Sequence, residues 1–160
     1  MPLQAIQNEI LSRFERVRSG VAIGFDENFE LAALSSLRGG VWRSDSDGAC
    51  LPYADCQFDV AVISSRQVEK NVIREVHRVL RPKGCLFFTV DEKTKRQDGF
   101  TEQEIYRVIR DGFDILSIKR PDWWFFGKRG RTLTVCARKK YWREHKGFAY
   151  DETLPFKPFR

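Results

Sequence analysis

Residues 58–90 constrain the fold more than any other part of this 160-residue chain. Phe58-Asp59-Val60-Ala61-Val62-Ile63 is a short run with apolar side chains on both faces. Such a strand belongs between two covering layers, because a half-exposed strand alternates apolar with polar. Val68, Val72, Ile73, Val76, Val79 and Leu80 then recur at helical spacing. Arg81-Pro82-Lys83-Gly84 breaks that helix, and Cys85 to Val90 makes a second buried strand. Strand, helix and strand in this order form a βαβ unit with parallel strands and a right-handed crossover. The chain length suits one domain around one core.

The flanks extend the same alternation. Leu3, Ile6, Ile10, Phe14 and Val17 predict a helix over 3–17, stopped by Ser19-Gly20. Val21 to Gly24 reads as a strand. Asp26 can cap a following helix whose inner face uses Phe29, Ala33 and Leu37. Gly39-Gly40 ends it, Val41 and Trp42 begin another strand, and Ser44 to Gly48 is rich in turn residues. Further on, Thr101-x-x-Glu104 is a capping box opening a helix with Ile105, Val108 and Ile109 inside. Phe113–Lys119 and Thr132–Ala137 read as a strand pair joined by a long aromatic and basic connection, Pro121 to Arg131. The expected organisation is a domain over 1–138 and an extended tail over 139–160.

Charge is uneven. Residues 113–160 hold 12 Lys/Arg and 5 Asp/Glu, a balance of +7 within a chain total of +6. A basic C-terminal third is a reason to consider an anionic partner. Trp123, Trp124, Phe125 and Phe126 precede Lys128, Arg129 and Arg131, and Lys139, Lys140, Tyr141, Trp142 and Arg143 follow. Aromatic rings stack bases and cations track phosphates, so nucleic acid is a possible partner. Equally, the rings can pack at the sheet edge while the cations solvate it. Phe148, Tyr150, Phe156 and Phe159 give the tail apolar groups to bury against its own domain, in a homodimer or on a protein partner.

Cys50, Cys56, Cys85 and Cys136 form no Cys-x-x-Cys pair, and neither His77 nor His145 has a second ligand at metal spacing. Free thiols and no metal site are expected. No apolar run approaches the roughly 20 residues of a membrane span. Residues 1–15 lack a basic stretch followed by an apolar one, so a cytoplasmic location is expected.

Two strings carry a family resemblance. Leu51-Pro52-Tyr53-Ala54-Asp55-Cys56-Gln57-Phe58-Asp59-Val60 resembles the "LPF.D..FD.V" segment of class I S-adenosylmethionine (SAM)-dependent methyltransferases of the type 11 kind. Arg74-Glu75-Val76-His77-Arg78-Val79-Leu80-Arg81-Pro82-Lys83-Gly84 resembles that family's "RE..RVLKPGG" helix and turn. The resemblance covers about residues 20–138 and implies a doubly wound, Rossmann-like, mostly parallel sheet with an antiparallel C-terminal strand. It implies a cofactor site near Gly24, Asp26, Asp47, Gly48 and Ser64, with Asp47 near the adenine amino group.

The chain departs from the pattern twice. In Ala22-Ile23-Gly24-Phe25-Asp26-Glu27-Asn28 one glycine stands where the family has a glycine-rich loop. Phe25 adds bulk there, and Asp26 and Glu27 add charges that repel the cofactor's carboxylate. About 20 residues separate Leu37 from Phe58, too few for the family's strand, helix and strand, so about one strand and one helix are expected to be missing. Val41–Arg43 then stands in for one of two strands, and the acidic residue that would bind the ribose cannot be assigned. Ser64-Ser65 either faces a substrate or caps the next helix. Three functions stay open: a methyltransferase-like protein with lost or weakened SAM binding acting as a non-catalytic partner or scaffold, an active SAM-dependent methyltransferase with an atypical site, and a nucleic-acid-binding module.

Overall fold

The computed structural model describes residues 2–25, 40–95, 97–120 and 132–140, with side chains from Gln4 onward. Helix α1 spans Pro2–Arg13, followed by strands β1 (Ser19–Ile23), β2 (Val41–Asp45) and β3 (Phe58–Ile63). A 3-10 turn at Ser65–Gln67 leads into helix α2 (Lys70–Val79), strand β4 (Leu80–Asp91), helix α3 (Glu102–Ile109) and strands β5 (Phe113–Lys119) and β6 (Thr132–Lys139). The six strands form one sheet in the order β2-β1-β3-β4-β6-β5. β2, β1, β3 and β4 run parallel, and β6 lies antiparallel between β4 and β5. This is the expected α/β architecture.

The alternation along the inner strands explains the continuous apolar runs. On one face Val21, Ile23, Ala61, Ile63, Leu86 and Phe88 meet Val72, Ile73 and Val76 of α2 and Ile105 and Ile109 of α3. On the other, Ala22, Val60, Val62, Phe87 and Cys136 meet Ile6 and Ile10 of α1. A strand covered on both sides needs apolar residues at every position. Each fully buried Val, Ile or Phe contributes roughly 1.5–3 kcal/mol. Asp59 is the polar exception in β3: its carboxylate accepts from the Arg18 and Ser19 backbone N–H groups at 3.0 and 3.3 Å and from Arg81 at 3.0 Å. It fixes the start of β1 against β3.

The shortening is visible between β2 and β3. Residues 46–57 are all described and contain no helix and no strand. β2 therefore pairs directly with β1 and forms one edge of the sheet.

Some boundaries differ from those expected. The first helix ends at Arg13 rather than Val17, because residues 15–18 turn the chain into β1, whose start is held by Asp59. Val17 is still buried, on the α1 side. β4 begins at Leu80, which pairs with Phe58 before the register resumes at Val60 with Cys85. Arg81–Gly84 loops out between these pairs, with Lys83 in the left-handed region at φ 65°. β6 runs to Lys139, two residues past the expected end of that strand at Ala137. The capping box is formed: Thr101 Oγ1 accepts from the Glu104 N–H, and the Glu104 carboxylate accepts from the Thr101 N–H at 2.8 Å.

Glu9 ties α1 to β5. It is 5% exposed, and its carboxylate accepts from Arg13 on α1 and from Ser117 and Lys119 on β5. These cations hold its carboxyl below the usual range against the opposing effect of burial.

Candidate cofactor site at the carboxyl edge of the sheet

β1, β2 and β3 end together because they are parallel and in register, Ile23 lying beside Asp45 on one side and Ile63 on the other. The chain leaves β2 and crosses over β1 to reach β3, so the edge between β1 and β3 is a topological switch point, where open α/β sheets bind ligands. Gly24 occupies it. Its N–H donates to the Asp45 carbonyl at 2.8 Å, and the Ser64 N–H donates to the Ile23 carbonyl at 2.9 Å. Gly24 has φ 75°, a conformation that side-chain-bearing residues rarely adopt.

The structure brings four of the five expected residues to this edge, and Asp26 lies outside the described residues. A Cβ placed on Gly24 would stand 2.5 Å from Ser64 Oγ and 2.6 Å from Gln67 Cγ. The open side of the glycine is thus covered by the chain's own side chains. Gln67 also reaches the loop after β2, accepting from the Gly48 N–H at 3.5 Å and donating to the Ser46 carbonyl at 3.4 Å. Gly48 is buried against Ile23 and Val72. Asp47 is exposed, and its carboxylate accepts from the Ala49 N–H at 2.9 Å, as a turn aspartate does. Ser64 stands at the N-cap position of the 3-10 turn but makes no cap bond, and its buried Oγ has no hydrogen-bond partner. Phe25 turns away from this edge and packs against the α1-side cluster.

Asp45 is the residue the sequence did not reveal. β2 extends two residues beyond Arg43, so an aspartate ends the strand next to β1. That is where the resemblance places the acid that binds ribose hydroxyls. Its carboxylate accepts from the Asp47 N–H at 3.0 Å. Asp45 and Asp47 therefore stand two residues apart on one loop. The signal was present as Ser44-Asp45 directly after the strand, masked by its turn-like composition. Tyr53 lies beside this loop, its hydroxyl donating to the Ser44 carbonyl at 3.3 Å and its ring edge-on to Phe58. Burial, then the Asp45 charge, pushes its phenol above the usual tyrosine range.

The two strings that carried the resemblance hold each other. Arg78 donates to the Tyr53 and Leu51 carbonyls at 2.8 and 3.0 Å and pairs with Asp55 and Glu75. Glu75 in turn accepts from the Leu51 N–H at 3.0 Å. The Arg78 guanidinium holds the Glu75 carboxyl below the usual range. The helix string is therefore the clamp for the loop string, and the loop after β2 is placed by it.

Elsewhere, a groove lined by Glu102, Tyr106, Arg107, Arg110, Ile115 and Ile118 separates α3 from β5, away from the carboxyl edge. Lys139, counted above with the basic surface, is 7% exposed and donates to the Leu80 carbonyl at 2.7 Å. Residues 121–131 and 141–160, on which the nucleic-acid and tail expectations rest, lie outside the described residues. All four cysteines are free. Among the described residues no group of three His, Cys, Asp or Glu is placed to hold a metal ion, and no helix is long and apolar enough to cross a membrane.

No family model and no curated protein matches this sequence. Solved structures do match its fold. The 1,6-didemethyltoxoflavin-N1-methyltransferase of Burkholderia thailandensis, solved with 1,6-didemethyltoxoflavin and S-adenosylhomocysteine, is 17% identical with a TM-score of 0.64. The match covers 86% of this chain and 78% of that one. The N-methyltransferase NodS of Bradyrhizobium japonicum, in complex with S-adenosylhomocysteine, is 14% identical with a TM-score of 0.63, covering 85% of this chain and 84% of that one. A putative methyltransferase complexed with the Haloferax volcanii Trm112 methyltransferase activator is 14% identical with a TM-score of 0.61, covering 82% and 88%. At these identities the likeness is one of fold: this chain has the class I SAM-dependent methyltransferase fold, shortened.

Proposed function

We propose that this chain, built on a shortened methyltransferase fold, binds a SAM-type cofactor weakly or not at all and acts as a non-catalytic partner of another protein. The observation that carries this reading is the cover over Gly24. The one glycine left in the loop has its open side filled by Ser64 and Gln67. Asp26 and Glu27 follow after Phe25 in sequence, where the resemblance implies that the cofactor's own carboxylate would be held. The adenosine half is better served. Asp45 and Asp47 offer acceptors to ribose hydroxyls and an amino group, and the partnerless Ser64 Oγ offers one more polar contact. A bound SAM would supply the methyl group, and these residues would orient its adenosine. The protein-partner part of the reading draws on the Haloferax relative, solved with an activator protein.

Asp45 favours a second reading, an active SAM-dependent methyltransferase with a compressed site. Calorimetric titration of the full chain with S-adenosylhomocysteine and with adenosine separates the two. The proposal expects S-adenosylhomocysteine to bind no better than adenosine, with both weaker than about 0.1 mM, or about −5.5 kcal/mol. Micromolar binding of S-adenosylhomocysteine, much tighter than adenosine and weakened by Asp45→Ala, would overturn it in favour of the enzyme.

A further inference from the structure

The end of the sheet opposite the cofactor edge holds a second chemical arrangement. Helix α2 finishes with backbone carbonyls that need donors. The Arg78 carbonyl accepts from the Cys56 N–H at 3.0 Å, the Val79 carbonyl from the Gln57 N–H at 2.7 Å, and the Leu80 carbonyl from Lys139 Nζ at 2.7 Å. Capping one helix end brings Cys56 and Lys139 together across 83 residues, with Nζ 4.0 Å from Sγ. Lys139 Nζ donates to a carbonyl and to the thiol, and the nearby Asp55 carboxylate acts on it through its charge, favouring the ammonium against the effect of burial. Cys56 is exposed and sits in a left-handed turn at φ 54°. Peroxide therefore has access to the sulfur while the amine waits on its buried side.

We propose that Cys56 and Lys139 form an oxidative crosslinking site, at which hydrogen peroxide joins Sγ to Nζ through a sulfur–nitrogen bond. In the first step peroxide oxidises the Cys56 thiol to a sulfenic acid and is reduced to water. In the second the neutral Lys139 amine attacks that sulfur. An S–N bond forms, the S–O bond breaks, and the departing hydroxide takes a proton from the nitrogen and leaves as water. In sum, thiol, amine and one peroxide give the sulfenamide and two waters, and the protein loses two hydrogens. Burial holds the Lys139 ammonium below the usual lysine range, which brings the nucleophilic neutral amine within reach. Two equivalents of a thiol reductant restore thiol and amine and become a disulfide. The link would pin the end of β6 to the loop that leads into β3.

The test is peptide mass spectrometry of the full chain, folded, treated with hydrogen peroxide, alkylated and digested. A crosslinked species containing Cys56 and Lys139, lighter by two hydrogens than the sum of its peptides and lost on reduction with dithiothreitol, is the expected result. Cys56→Ser abolishes it, and Lys139→Arg keeps a cation at the Leu80 carbonyl but leaves Cys56 at the sulfenic acid. Cys50, the other exposed thiol, serves as the internal comparison. The proposal is overturned if Cys56 of the folded native chain proceeds to sulfinic acid, or to a disulfide with Cys50, while the Lys139 peptide stays unmodified. That outcome is read on the native protein, so a variant that fails to fold does not protect the idea.

Discussion

His77 sits on α2 against the start of β5, its ring edge-on to Phe113 at 5.4 Å and 89°. Burial, with the Lys139 ammonium adding to it, pushes the imidazole from 6.5 down to about 3. The folded protein therefore keeps His77 neutral where the unfolded chain takes up a proton. Its contribution is fully present above about pH 6.5 and is lost progressively as pH falls from there towards 3. One proton costs about 1.4 kcal/mol per pH unit, so moving from pH 7 to pH 5 withdraws about 2 kcal/mol. Replacing His77 by Gln removes the titration while keeping a neutral side chain of similar size. Glu9 and Glu75 are held below the usual carboxylate range, so their losses fall below about pH 4.5, outside this window. His145 is present in both proteins and cancels in the comparison. Urea denaturation at pH 7 and pH 5 is the assay. The wild type should lose about 2 kcal/mol more than His77→Gln over that interval. Equal losses would show that the burial argument is wrong.

Gly24→Ala should destabilise by about 1–3 kcal/mol, since it combines a left-handed φ with a Cβ 2.5 Å from Ser64 Oγ. A thermal melt within a degree of wild type would count against the described loop. Arg78→Met should cost about 2 kcal/mol by freeing the Leu51 and Tyr53 carbonyls and leaving Glu75 without its cation. In chemical denaturation it should be less than additive with Glu75→Gln, because the two belong to one network.

The middle of the fold was legible because its physics is local and redundant. β3 matched its expected span of Phe58–Ile63, since a doubly covered strand leaves an unbroken apolar run. The Thr101 capping box was legible for the same reason, both partners lying within four residues. Boundaries set by distant groups were not. The end of α1 depends on Asp59 holding β1 from 40 residues away. The start of β4 depends on Leu80 pairing with Phe58 before a four-residue excursion that reads as a plain helix stop. At the candidate site, Gly24 and Ser64 could be placed from the strand order, but Asp45 was hidden in a turn-like string. Nor did spacing suggest that Gln67 would bridge two loops, because side-chain-to-backbone contacts across a sheet edge leave no periodic trace.

The clamp between Glu9 and Lys119 joins residues 110 apart, and β6, the last of the described strands, lies between β4 and β5. During synthesis, α1 therefore emerges long before Lys119, and the described sheet stays split until β6 arrives. Until then β4 carries a bare edge made of Leu86, Phe87, Phe88 and Val90, a template for pairing with another chain. A ribosome stalled just before residue 132 would hold a polypeptide with most of its buried apolar residues and without the strand that joins β4 to β5. Folding of this molecule is in consequence a late event, and its vulnerability to aggregation and to proteases is concentrated in the nascent chain.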